Sequence, residues 1–139
     1  MKTPYYLASG LENITAVASM TAAMEEAGFT RSYDWSAHGS VQSEGLERIR
    51  DVAILESEGV KDATFTLVVL PGGSGTHVEL GMALALGQHV YIYGPKVRYT
   101  GDTERGTCAF YHHPLVKWFF MEQYTPTEVA NVLALWEDS

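Results

Sequence analysis

Leu67-Val68-Val69-Leu70-Pro71-Gly72-Gly73-Ser74-Gly75-Thr76-His77-Val78-Glu79-Leu80-Gly81-Met82-Ala83-Leu84-Ala85-Leu86-Gly87 decides how this chain is read. The residues from Phe65 to Leu70 are apolar apart from Thr66, which suits a strand covered on both faces of a parallel sheet. Pro71 ends that strand. Gly72, Gly73, Ser74 and Gly75 then form a turn whose backbone is free to take positive φ and to approach a ligand closely. Thr76 fits the N-cap of a helix running to about Leu86 and stopped by Gly87. Glu79 is therefore expected in the first turn, where the peptide dipoles favour its ionised form. An acid placed there, beside exposed backbone N–H groups, is a candidate nucleophile or general base.

The run from Pro71 to Gly87 resembles the signature of the nucleoside 2-deoxyribosyltransferase-like superfamily, which includes the nucleoside 5′-monophosphate N-glycosidases. The resemblance implies that Glu79 attacks the anomeric carbon of a (deoxy)ribosyl group. The shorter core Pro71-Gly72-Gly73-x-Gly75-Thr76-x-x-Glu79 is also similar to that of the cytokinin-activating phosphoribohydrolases, although their arginine pair and upstream glycine-rich motif have no match here. Both resemblances imply breakage of an N-glycosidic bond.

Composition narrows the field. The chain has 139 residues, one domain's length, with 46% hydrophobic and 12% aromatic residues, so a packed core is expected. Its formal charge of −8 argues against a binder of polymeric nucleic acid, which needs a basic face to displace counterions. A small nucleoside or nucleotide remains compatible, because local N–H groups bind it whatever the net charge. Cys108 is the only cysteine and fits a reducing, cytoplasmic setting. No run reaches membrane-spanning length, and Met1-Lys2-Thr3-Pro4 carries no signal-peptide core.

Taken in order, Tyr5 to Ser9 reads as the first strand, ending at Ser9-Gly10. Ligands of open α/β sheets bind outside the carboxyl ends of strands, which places Tyr6, Ser9 and Gly10 near Glu79. By resemblance Tyr6 orients the nucleophile and Ser9 meets the sugar, while strand alternation leaves open which of Tyr5 and Tyr6 faces the site. A helix over Asn13 to Ala27, with Ile14, Val17, Met20 and Met24 inward, is closed by Gly28. A short strand from Phe29 to Tyr33 precedes a polar loop from Asp34 to Gln42, in which Trp35 either stacks on a base or packs at the sheet edge. His38 in the same loop reads as solvated. Ser43 is the expected N-cap of a helix to about Glu58, with Leu46, Ile49, Val52 and Leu55 or Glu56 inward. The superfamily places an aspartate late in this helix, and here Glu56 or Asp51 takes that position; such a group protonates the departing base.

His89 to Pro95 alternates as a strand stopped by Gly94-Pro95. Lys96 to Thr107 reads as a loop holding Arg98 and Arg105. Val116 to Phe120 is the last strand; the aromatic surface of Trp118, Phe119 and Phe120 suggests burial between subunits, and the resemblance implies a homodimer or larger homo-oligomer. Thr125-Pro126-Thr127-Glu128 has the form of a capping box opening a final helix. His112 and His113 lack partners at a ligand spacing, so no metal site and no cofactor is expected. The order of elements implies one three-layer α/β/α domain over residues 1–139, with a mostly parallel sheet of the Rossmann/flavodoxin-like kind.

Gly72, Gly73, Ser74, Gly75 and Thr76 are the expected holders of the 5′ end of the sugar. The similar monophosphate hydrolases often carry arginine in the turn after the first strand, whereas this chain has Ser9-Gly10-Leu11-Glu12. Glu12 beside a phosphate would cost about 1 kcal/mol at a surface. Cleavage or transfer of the N-glycosidic bond of an unphosphorylated (deoxy)ribonucleoside is thus the first expectation, with N-hydrolysis of a nucleoside 5′-monophosphate and non-catalytic nucleotide sensing as alternatives.

Overall fold

Tyr5 and Tyr6 are the residues on which the two faces of the sheet divide. Tyr5 stacks on Phe65 at 5.8 Å and meets Phe29 edge-on at 6.2 Å, while Tyr6 lies under Gly59 and reaches Glu79 on the other face. Both rings are fully buried, as expected when helices cover both sides of a parallel sheet. The computed structural model describes residues 2–137; Met1, Asp138 and Ser139 of the expected domain lie outside the described residues.

The strands are β1 (Thr3–Ala8), β2 (Phe29–Arg31), β3 (Phe65–Val69), β4 (His89–Gly94) and β5 (Val116–Phe120). They form one sheet in the order β2-β1-β3-β4-β5, with every neighbouring pair parallel. This is the flavodoxin-like order, and the chain reverses its winding between β1 and β3. All five residues of β3 are buried, which accounts for its apolar run. The helices are α1 (Ile14–Glu26), α2 (Leu46–Asp62), α3 (Ser74–Ala85), α4 (Lys96–Thr100) and α5 (Pro126–Glu137). α1 packs with α5, and α2 packs with α3.

The structure moves several element starts. α3 begins at Ser74 with Gly73 as its N-cap, so Thr76 does not cap it. Its side chain is instead packed down on Gly72, where a Cβ would lie 2.6 Å from Thr76 Oγ1. Close approach, not positive φ, is what the turn asks of glycine: Gly72, Gly73 and Gly75 are all absent from the positive-φ residues. Ser43 does not cap α2; Gly45, at φ 92°, turns the chain into it. Leu46, expected inward, is 80% exposed, and of the alternatives Leu55 and Glu56 the leucine is 40% exposed while Glu56 is half-buried; the buried stripe is carried by Val52, Gly59 and Val60. Ile14 at the start of α1 is likewise exposed.

The expected loop from Lys96 to Thr107 contains α4, whose C-cap Gly101 is left-handed at φ 84°. A parallel β4–β5 pair requires a long crossover, and this segment supplies it. Phe119 is core, packed on Tyr124 at 5.2 Å and Trp136 at 5.6 Å, whereas Trp118 and Phe120 are half-buried against Tyr99. The aromatic strand is therefore used largely within the chain. The α5 capping box forms as expected: the Thr125 N–H donates to Glu128 Oε1 at 2.9 Å, and the Glu128 N–H donates to Thr125 Oγ1 at 3.2 Å.

Gly59 fixes how closely α2 sits on β1. A Cβ there would lie 2.8 Å from Tyr33 Cβ and 3.0 Å from the Tyr6 ring. Gly59→Ala is expected to cost about 1–3 kcal/mol by overpacking. Chemical denaturation measures this, and an unchanged midpoint would show that the helix can lift off the Tyr6 ring freely.

Candidate active site

Glu79 lies in the second turn of α3, because the helix starts at Ser74, and only 7% of it is exposed. The Tyr6 hydroxyl, brought up from β1, donates to Glu79 Oε2 at 2.6 Å. Glu56 of α2 also reaches the Glu79 carboxyl by a hydrogen bond. Burial pushes the Glu79 carboxyl up to about 8; the Tyr6 bond opposes that rise and Glu56 adds to it. This reverses the expectation of a carboxylate kept ionised by the helix start: the dipole effect is confined to the first turn, and desolvation dominates here. Burial, then the charge of Glu79, drives the Tyr6 hydroxyl far above its ordinary range, so it stays a neutral donor. Glu56 thus reinforces the rise that burial imposes on Glu79, since a second carboxyl close by disfavours the charged form.

A cavity of about 400 Å³ opens above this pair. It lies over the ends of β1 and β3, where the winding reverses, the place ligands take in such sheets. Ser9, Gly10, Trp35, Glu56, Gly73, Ser74, Gly75, Thr76 and Glu79 all line it. Tyr6 is beneath, fully buried and reached through Glu79. Asp51 is exposed and does not line the cavity: five residues before Glu56, it points about 140° away around α2. Gly72 also lies off this cavity and lines a neighbouring one.

The hydroxyl of Ser9 donates to the Val69 carbonyl at 2.6 Å, and Asn13 Nδ2 donates to Ser9 Oγ at 3.0 Å and to the Leu70 carbonyl at 3.2 Å. These bonds tie the turn after β1 to the end of β3. Trp35 packs and lines at once. Its indole N–H donates to the Leu7 carbonyl at 2.7 Å. The short β2 pairs only with Thr3, Pro4 and Tyr5, leaving that carbonyl in need of a donor.

Two residues at this cavity, His38 in its lining and Asn13 behind Ser9, escaped the sequence analysis. His38, read as solvated, lines it; Nδ1 bonds the Gly39 carbonyl at 2.8 Å, and Nε2 is buried without a partner. With Nδ1 as the donor to Gly39, Nε2 is left as a buried acceptor. Asn13 read only as a helix start. Neither has a sequence signal, because each acts through a contact distant along the chain or through the shape of a loop. Glu12, whose carboxyl is folded against Gly10, lines the cavity as well. Among the described residues, the cavity therefore holds Glu12, Glu56 and Glu79 and is lined by no lysine or arginine. Among them, too, no group of three His, Cys, Asp or Glu side chains is placed to hold a metal ion.

His77 holds the glycine turn from behind. Its Nδ1 bonds the Gly73 carbonyl at 2.7 Å and its Nε2 bonds the Tyr111 hydroxyl at 2.7 Å, with Arg98 Nη2 3.5 Å from that hydroxyl. With Nδ1 as donor, the protons run from Arg98 to Tyr111 to His77 to Gly73. Tyr111→Phe leaves His77 Nε2 without its donor, and a loss of about 1–2 kcal/mol is expected. Amide exchange at Gly73 to Thr76 should accelerate; exchange as slow as in the parent would show that the chain does not hold the turn.

No protein-family model matches the chain, and no curated protein matches it by sequence. Among solved structures, that of a CMP N-glycosidase from Clostridium botulinum, BcmB, is similar, with a TM-score of 0.60 and 15% identity over 96% of this chain and 99% of that one. At that identity the likeness is one of fold, and it extends over nearly the whole of both chains.

Proposed function

We propose that this protein cleaves or transfers the N-glycosidic bond of a (deoxy)ribonucleoside, with Glu79 as nucleophile. The observation that carries the proposal is a buried Glu79 carboxyl, held by the Tyr6 hydroxyl and with Glu56 beside it, on a cavity at the switch point. Once ionised, Glu79 attacks C1′, the bond from C1′ to the base nitrogen breaks, and Glu56 serves as the acid that protonates the departing base. The glycosyl ester passes its sugar either to a second base or to water, in the manner of a retaining glycosidase. Ser74, Gly75 and Thr76 surround the sugar's 5′ end, and Trp35 and His38 face the base.

Hydrolysis of a nucleoside 5′-monophosphate is the second reading. The fold shared with a CMP N-glycosidase favours it, as do the free N–H groups at the start of α3. The three carboxyls and the lack of a cation around the cavity favour a sugar with a free 5′-hydroxyl. Chromatography of deoxynucleosides, ribonucleosides and their monophosphates, incubated with and without an acceptor base, separates the two. Base exchange supports transfer, and free base with sugar phosphate supports nucleotide hydrolysis. Intact ligand throughout would leave a binding protein.

The exposed Leu46, Ile54, Val78 and Leu86 on α2 and α3 offer a second copy of the chain an apolar surface. A homo-oligomer is accordingly part of the proposal, and solution mass tests it.

A further inference from the structure

A second cavity, of about 280 Å³, lies over the ends of β3 and β4, on the other side of the glycine turn. Its floor is Leu70, Pro71 and Gly72, and Pro95 and Met121 close it with apolar surface. Arg98 and Arg105 both line it beside Tyr111. Arg98 is held in place: Nη1 donates to the Gly106 carbonyl at 3.1 Å, and the guanidinium lies 5.8 Å from the centre of the Tyr111 ring. Among the described residues neither arginine forms an ion pair with a carboxylate. Two positive groups thus converge on apolar walls in a chain of net charge −8, while the larger cavity is lined by three glutamates and no cation.

We infer that this smaller cavity is a separate binding site for a compact organic phosphate. The phosphate sits between Arg98 and Arg105, and the ring or apolar body lies on Leu70, Pro71 and Met121. Guanidinium groups suit phosphate because they offer paired donors of fixed geometry. The volume is at the low end for ligand cavities, which run from about 300 to 1,000 Å³, so a single ring with its phosphate fits and a dinucleotide does not. The site stands independently of any activity at Glu79.

Phenyl phosphate, inorganic phosphate and phenol are suitable probes for titration calorimetry on the full chain. Phenyl phosphate should bind more tightly than inorganic phosphate, and phenol should show no binding at matched concentration. Arg105 is exposed, so Arg105→Glu should fold, and it should weaken phenyl phosphate about tenfold or more, the loss of one charge-assisted contact. With fluorotryptophan incorporated, ¹⁹F NMR locates the ligand. Trp118 packs on Tyr111 at 5.3 Å and should shift, whereas Trp35, on the larger cavity, should not. No binding of either phosphate, an affinity unchanged by Arg105→Glu, or a shift at Trp35 in place of Trp118 would each overturn the assignment.

Discussion

Glu79→Gln should abolish turnover, by about 10³-fold or more, and should at the same time stabilise the protein at mildly alkaline pH. The two effects have one cause. In the unfolded chain the carboxyl titrates near 4.5, and in the folded chain at about 8. Between those values the unfolded state has lost its proton and the folded state keeps it. The unfolded state therefore binds fewer protons, and stability falls as pH rises through that window. Below about pH 4.5 the contribution is fully present; above about 8 it is gone. Glutamine carries no charge to desolvate, so Glu79→Gln should flatten the profile, with a gain of order a few kcal/mol at pH 8 that shrinks towards pH 5. Calorimetry at pH 5 and pH 8, together with product assays, measures both. A variant that retains most turnover removes Glu79 from the chemistry. A pH profile parallel to that of the parent means that its carboxyl is not the desolvated group.

Glu56→Gln should lower kcat by about 10²- to 10⁴-fold on ordinary nucleosides, the usual range for losing a general acid. The loss should be far smaller with an N7-methylated purine nucleoside, whose base already carries positive charge and departs without a donated proton. Equal losses on both substrates would mean that Glu56 shapes the cavity without donating a proton.

Within the fold, the elements legible in the sequence were those whose signal is local. Phe65 to Gly87 announces strand, turn and helix because an apolar run meets a proline, then glycines, then helical spacing. Val116–Phe120 and the Thr125–Glu128 box came through for the same reason. Helix starts were displaced where a side chain that resembles a cap, Thr76 or Ser43, was drawn elsewhere and a glycine took the cap position. α4 was missed because five residues, with Val97 the only aliphatic one, are too few to show an apolar period.

The sequence by itself determined an open parallel sheet with a glycine turn at one strand end and an acid a short way into the next helix, since breakers and periodicity act over a few residues. Only tertiary structure decided the rest. It brought Glu56 and not Asp51 to the cavity by their angle around α2, and turned Tyr6 and not Tyr5 towards Glu79. It also placed His38 and Glu12 on the cavity. The upward push on the Glu79 carboxyl is likewise a tertiary effect, because desolvation depends on what the surrounding elements exclude, and β1 and α2 close around that carboxyl.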